Sequence, residues 1–143
     1  MNLIVCLDKN NGIMFNNRRV SRDSKIIEDI KSVVKNDKII CSNYSKELFN
    51  GQNIDIKIIE TSNDIEYNLN NNSYYFLEDI DIDMNYINKI IIYNFNRYYP
   101  SDIKFEDKLN NYEFENTHKF IGTSHEEIIR NIYVRGDINE ISY

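Results

Sequence analysis

Leu3-Ile4-Val5-Cys6-Leu7 is an unbroken run of β-preferring apolar residues with no polar position inside it. A strand with one wet face alternates; a strand that does not alternate is covered on both faces, the habit of parallel sheets flanked by helices. The residues that follow offer the covering layers. Asp8-Lys9-Asn10-Asn11-Gly12 supplies turn chemistry. From Ser21 the pattern becomes helical: Ile26, Ile27, Ile30, Val33 and Val34 recur at spacings of three and four, which predicts a helix over Arg22–Val34 with Ser21 as its N-cap. Asn36-Asp37 breaks it. Further strands are expected at Lys38–Cys41, Ile54–Glu60, Ser73–Leu77 and Lys89–Asn96. A short helix is expected over Tyr44–Phe49, an exposed Asn-rich loop at Asp64–Asn72 and a helical turn within Asp81–Tyr86. Tyr112–Ile121 and Glu127–Arg135, around Gly122-Thr123-Ser124, predict a terminal antiparallel hairpin. That order describes an α/β sandwich, helices flanking a mostly parallel central sheet. Gly136 to Tyr143 is expected to fray, or to dock Ile138, Ile141 and Tyr143 on the sheet edge.

A chain of 143 residues suits a single domain, 1–143, with one hydrophobic core. With neither Trp nor Ala, that core falls to Ile, Tyr, Phe, Leu and Val. The heavy use of Asn, Ile and Lys fits codon pressure in an AT-rich genome, so Asn is given little structural weight. A formal net charge of −6 favours solubility and argues against broad nucleic-acid or membrane binding. The run after Met1 lacks a basic lead and a cleavage site, so it is expected to be a strand and not a signal peptide. No apolar run approaches the ~20 residues that span a bilayer. Cys6 and Cys41 lie in apolar runs, as small buried hydrophobes do, which points to a reduced, cytoplasmic protein.

Three stretches carry a resemblance. Asn2-Leu3-Ile4-Val5-Cys6-Leu7-Asp8-Lys9-Asn10-Asn11-Gly12-Ile13 is similar to the first strand and loop of bacterial dihydrofolate reductases. Lys89-Ile90-Ile91-Ile92-Tyr93, followed by Tyr99-Pro100-Ser101-Asp102-Ile103-Lys104-Phe105, resembles the strand and aspartate-containing loop after that family's cofactor turn. Thr123-Ser124-His125 before Ile132-Tyr133-Val134-Arg135 is like the end of its last hairpin. The resemblance implies a dihydrofolate reductase-like three-layer sandwich. It also implies that Asp23, with Ile27 one turn later on the same face, matches the family's substrate-binding acid. A carboxylate in an apolar pocket holds a pteridine by two hydrogen bonds and helps deliver a proton, because burial raises its pKa. The alternative for Asp23 is a first-turn acid that favours the helix dipole.

The cofactor positions depart from the family. Tyr75-Phe76-Leu77-Glu78-Asp79 stands where a strand-to-helix turn carries paired glycines that let backbone amides approach a dinucleotide's phosphates. Leu77 and Glu78 occupy those two places, and Cys41-Ser42 occupies that of an earlier glycine-arginine phosphate contact. Close approach and positive charge are both lost, and a carboxylate is added. Ordinary NADPH binding is therefore not expected. Arg18 stands where the family has a tryptophan.

Arg18, Arg19, Arg22 and Lys25 gather beside the expected pocket, either as a clamp for a phosphate or carboxylate or as a solvated helix entrance. Phe15-Asn16-Asn17-Arg18-Arg19 and Gly122-Thr123-Ser124-His125-Glu126 also resemble short bacterial proteins labelled ribonuclease Z. That label implies a metallo-β-lactamase core with two zinc ions. His118 and His125 are the only histidines and cannot supply it. No metal site is expected from them or from the Asp79, Asp81 and Asp83 alternation, which lacks the glycine and distal glutamate of a calcium loop.

Three functions compete. The first is a divergent protein that no longer reduces dihydrofolate but binds a small anionic or heterocyclic ligand between Asp23 and the cation cluster. The second is an active NADPH-dependent reductase with a rearranged cofactor site, Asp23 relaying protons, Tyr93 near the nicotinamide, and Arg97 or Lys104 on phosphate. The third is a non-catalytic interaction or regulatory protein whose old pocket has filled with Ile, Phe and Tyr.

Overall fold

The computed structural model describes residues 1–68, 72–106 and 109–136. Its centre is a seven-stranded sheet in the order β5-β4-β6-β1-β7-β10-β9, with β1 at Asn2–Leu7, β4 at Ile39–Ser42, β5 at Ile56–Ile59, β6 at Tyr74–Leu77, β7 at Lys89–Asn94, β9 at Tyr112–Phe120 and β10 at Ile128–Arg135. β5, β4, β6, β1 and β7 run parallel; β10 returns antiparallel to β7, and β9 closes the hairpin antiparallel to β10. This is the mostly parallel sheet with a C-terminal hairpin that the strand order predicts.

β1 is covered on both faces. Leu3, Val5 and Leu7 enter one buried cluster with Tyr75, Leu77, Ile90 and Ile92, while Ile4 enters the opposite cluster with Phe76, Ile91, Tyr93 and Phe95. The second cluster is closed by helix α1, Ser24–Val34, through Ile26, Ile27, Ile30 and Val34. Asp23, not Ser21, is its N-cap: the carboxylate accepts from Lys25 N at 2.9 Å. A carboxylate is the stronger acceptor and also meets the helix dipole with negative charge.

The first cluster is covered by a small sheet that the sequence pattern does not announce, β3-β2-β8, with β2 at Gly12–Phe15, β3 at Arg18–Arg19 and β8 at Ile103–Lys104. Phe15 pairs Arg18, so Asn16-Asn17 is a two-residue hairpin loop, and both asparagines have positive φ (50° and 62°). That is the backbone a primed hairpin turn demands. Asn11 and Asn96 take the same left-handed region at 62° and 60°. In a chain with four glycines, asparagine does glycine's work at these turns, which corrects the low weight given to it.

The short helix over Tyr44–Phe49 divides into α2, Asn43–Lys46, and a 3-10 turn, Glu47–Phe49. The expected loop after β5 begins as a 3-10 turn at Ser62–Asn68 and buries Ile65, while its residues 69–71 lie outside the described set. No helix starts after β6; Glu78 and Asp79 form a bend and the next helical piece is a single 3-10 turn, Met84–Tyr86. The acid-isoleucine alternation from Asp79 to Asp83 has a period of two, which a helix cannot place on one face. Docking by Ile138, Ile141 and Tyr143 concerns residues outside the described set. No helix among the described residues is long and apolar enough to cross a membrane.

Candidate functional site

Asp23, Arg19, Arg22, Ile27 and Glu78 line one recess between the N-terminus of α1 and the C-terminal ends of β1 and β6, together with Ser21. The recess holds only about 20 Å³ of open space, because Leu48, Phe76 and Phe95 press into it. It is far smaller than the several hundred Å³ (~300–1,000 Å³) typical of pockets for drug-sized ligands.

Asp23 is 4% exposed and fully engaged. Oδ1 accepts from Thr123 N at 2.8 Å and Lys25 N at 2.9 Å; Oδ2 accepts from Ser124 N at 2.9 Å and meets His125 Nδ1 at 2.8 Å. Burial alone would raise the carboxyl pKa, as expected of a pteridine-binding acid. The bonds from Thr123, His125, Ser124 and Lys25 outweigh it and hold Asp23 well below the usual carboxylate range. Asp23 is thus held as an anion that fastens the β9–β10 hairpin to α1, where the resemblance implies a carboxyl of raised pKa. Gly122 makes the approach feasible: a Cβ there would stand 2.5 Å from Asp23 Oδ2.

His125 is 4% exposed and lies against the Phe95 ring, centroids 4.9 Å apart. Its Nε2 meets Tyr99 Oη at 2.9 Å and Ser21 Oγ at 3.1 Å. Because ionised Asp23 only accepts, Nδ1 carries the proton; in that neutral tautomer Nε2 accepts from a hydroxyl, and Ser21 Oγ also lies within donating distance of Tyr99 Oη, at 3.4 Å. Ser21 and Tyr99 were not singled out as site residues. The signal that could have pointed to them is weak, since nothing in sequence spacing links positions 21, 99 and 125.

At the positions expected for a cofactor, the side chains pair with one another. Arg19 grips Glu78 with two bonds, Nε to Oε2 at 2.9 Å and Nη2 to Oε1 at 3.1 Å; it also donates to Glu47 at 2.7 Å and lies over the Tyr44 ring at 4.4 Å. Burial would weaken the guanidinium's hold on its proton, but the bond to Glu78 and its charge raise the pKa above the ordinary value. Glu78 Oε1 further accepts from Ser45 Oγ at 2.7 Å. Ser42 caps α2 through Ser45 N and donates to Asp79 Oδ1 at 2.6 Å. Leu77 is 3% exposed and packs into the core. Cys41 is fully buried, with burial and the nearby Glu78 and Asp79 charges pushing its thiol pKa up to about 12.

The expected cation clamp is dispersed. Arg19 turns inward to Glu78, Lys25 pairs with Glu28 at 3.4 Å along the helix, and Arg22 lies 3.6 Å from Glu47 with 62% of its side chain exposed. Arg18 joins Phe15, Asn16, Arg19, Tyr99 and Pro100 around an open cleft of about 540 Å³. Tyr93 is fully buried and donates to Asp29 Oδ2 at 2.6 Å, an atom that Arg130 also reaches at 2.8 Å. Burial and the Asp29 carboxylate push its phenol pKa up. Lys104 borders a second cleft of about 380 Å³ among Glu78, Asp79, Asp81 and Glu106. Among the described residues, no group of three or more His, Cys, Asp or Glu side chains is placed to hold a metal ion.

Among solved structures, the chain is similar to a dihydrofolate reductase from Enterococcus faecalis complexed with NADP(H) and RAB-propyl, with a TM-score of 0.65, 8% sequence identity, and 95% of this chain and 96% of that chain covered. At that identity the likeness establishes a dihydrofolate reductase-like fold. It gives no support to the ribonuclease Z label. No protein-family model and no curated protein matches the sequence.

Proposed function

We propose that this protein uses the dihydrofolate reductase scaffold without NADPH-dependent reduction of dihydrofolate, and binds a small anionic or heterocyclic ligand in the cleft bordered by Phe15, Asn16, Arg18 and Tyr99. The observation that carries the reading is the bidentate Arg19–Glu78 pair, supported by Ser45, at the place where a pyrophosphate would need bare backbone. The residues there do not fit NADPH. A phosphate would have to displace a carboxylate from a largely buried guanidinium, and no helix begins after β6 to present free amides. Lys104 does not compensate, since four carboxylates share its cleft.

The open cleft offers what the recess lacks. Its volume suits a small ligand, Arg18 and Arg19 lie at its edge, and Phe15 and Tyr99 give apolar faces for a planar ring. The near-closure of the recess to about 20 Å³ favours a second reading, in which the protein acts by contact with a macromolecule and holds no ligand. The two free cysteines support a reducing, cytoplasmic setting in either case.

Thermal-shift measurements with NADPH, NADH, dihydrofolate, mononucleotides and inorganic phosphate test the proposal. A ligand at 100 times its Kd stabilises the native state by about 2.7 kcal/mol. The expected result is a shift with a mononucleotide or phosphate, lost in Arg18→Ala, and none with NADPH. A shift with NADPH accompanied by dihydrofolate turnover would sink it.

A further inference from the structure

We infer that Ser21, His125 and Asp23 form a nucleophile–base–acid array able to transfer and hydrolyse short acyl groups from small carboxylic esters. The three side chains come from the loop before α1, the α1 N-cap and the β9–β10 connection, and they meet in the order that acyl transfer requires. Asp23 Oδ2 lies 2.8 Å from His125 Nδ1, and His125 Nε2 lies 3.1 Å from Ser21 Oγ. Such arrays are recognised by geometry and roles, whatever the chain order or fold.

Each role is constrained by its surroundings. Asp23 can only accept, and backbone N–H groups of Thr123, Ser124 and Lys25 fix its carboxylate plane. His125 is therefore held with its proton on Nδ1 and its lone pair on Nε2 toward Ser21. Phe95 against the ring restricts its rotation. Ser21 itself is partly exposed and lines the recess beside Arg22. Structural needs account for the Asp23 contacts, since they fasten the hairpin. The buried far ring nitrogen needs one partner, which Tyr99 Oη supplies at 2.9 Å; the Ser21 hydroxyl at 3.1 Å is a second.

The step balances without any further reagent than water. Ser21 Oγ adds to the ester carbonyl carbon as its proton passes to Nε2; the carbon–oxygen bond to the alcohol breaks, and the alcohol leaves with that proton. Water then gives a proton to Nε2 and its oxygen to the acyl carbon. The bond to Oγ breaks, the proton returns to Ser21, and a carboxylic acid departs. The recess lining includes Arg22, a positive charge available to the carbonyl oxygen. The recess of about 20 Å³ has room for little more than a water molecule, so the ester lies toward the 540 Å³ cleft, which shares Arg19 with the recess. Tyr99 Oη, at 2.9 Å from Nε2, competes with Ser21 for the same lone pair, so its removal frees the base.

The test is covalent labelling of the intact protein by a small fluorophosphonate, followed by mass spectrometry with peptide mapping, and a burst assay with p-nitrophenyl acetate. One adduct on Ser21 is expected, at a rate above that of N-acetylserinamide, absent in Ser21→Ala and faster in Tyr99→Phe. His125→Gln should slow it at least ~100-fold, the usual contribution of a general base. Should His125→Gln not fold, the comparison with N-acetylserinamide decides alone. No adduct, an adduct that persists in Ser21→Ala, or a Ser21 rate no greater than that of N-acetylserinamide overturns the inference. Labelling needs no cleft ligand, so this result and the NADPH result can fail independently.

Discussion

Replacing Glu78 by alanine tests whether the place expected for a cofactor phosphate is occupied by the protein's own ion pair. The Glu78 side chain is 5% exposed and Arg19 is 11% exposed, so both charges are largely out of water. Removing the carboxylate deletes two bonds from the guanidinium and one from Ser45, and leaves Arg19 with Glu47, whose side chain is 53% exposed and well screened. Breaking a buried pair from one side costs about 3–5 kcal/mol, and the retained Glu47 contact places this case at the lower end, ~3 kcal/mol. At ~3 °C per kcal/mol for a chain of this size, Glu78→Ala should lower Tm by roughly 9 °C. Urea unfolding followed by far-UV circular dichroism measures the free energy directly. The double variant Arg19→Met with Glu78→Leu should recover to within ~1 kcal/mol of the parent, since an apolar pair of like volume removes the uncompensated charge. A loss below ~1 kcal/mol in Glu78→Ala would refute the reasoning. It would mean that Arg19 is not committed to Glu78 and remains free for an external anion.

Asp23 gives a pH signature. Its folded pKa lies below the unfolded value, so the stability it contributes is present above the unfolded pKa of ~3.9 and is lost as pH falls toward the folded value. Unfolding free energy should therefore fall on acidification below about pH 4, and the fall should be shallower in Asp23→Asn; equal slopes in the two proteins would contradict the assignment. Gly122→Ala would bring a methyl group within 2.5 Å of Asp23 Oδ2, 2.7 Å of Ile128 Cδ1 and 2.9 Å of the His125 carbonyl oxygen. Overpacking of that kind costs ~1–3 kcal/mol, and an unchanged urea midpoint would show that the hairpin is not seated so tightly. Cys41, fully buried with its thiol pushed up to about 12, should resist a disulfide reagent at pH 8 until urea unfolds the chain; rapid reaction in the native state would place it at the surface.

The central sheet was legible because its signal is local. A run such as Leu3 to Leu7 states its own burial, and the spacing of Ile26, Ile27 and Ile30 states which face of α1 turns inward. The small sheet was not legible, because β3 and β8 are two residues each and their pairing with β2 is set by a hairpin loop of two asparagines. Reading Asn16-Asn17 as turn chemistry in a glycine-poor chain would have found it. The boundary at Ser21 illustrates a different failure. Both Ser21 and Asp23 are good N-cap residues, and only the hairpin's arrival from one hundred residues away, with Thr123 N on Asp23 Oδ1, decides between them.

Charge was the hardest feature to read, for a physical reason. Arg19 appeared as part of a cluster that would attract an anion, and Glu78 as a carboxylate that would repel phosphate. Each is read in sequence by its effect on an external anion. Fifty-nine positions separate them, and in the fold they are each other's partner. The pairing cancels both long-range effects at once, since a charge matched at 2.9 Å presents little net field to a ligand approaching through solvent. Arg18 at the 540 Å³ cleft and Arg22 beside Ser21 are both exposed. On the proposed reading, anion selectivity rests on those two guanidinium groups, and changing either one leaves the Arg19–Glu78 ion pair in place.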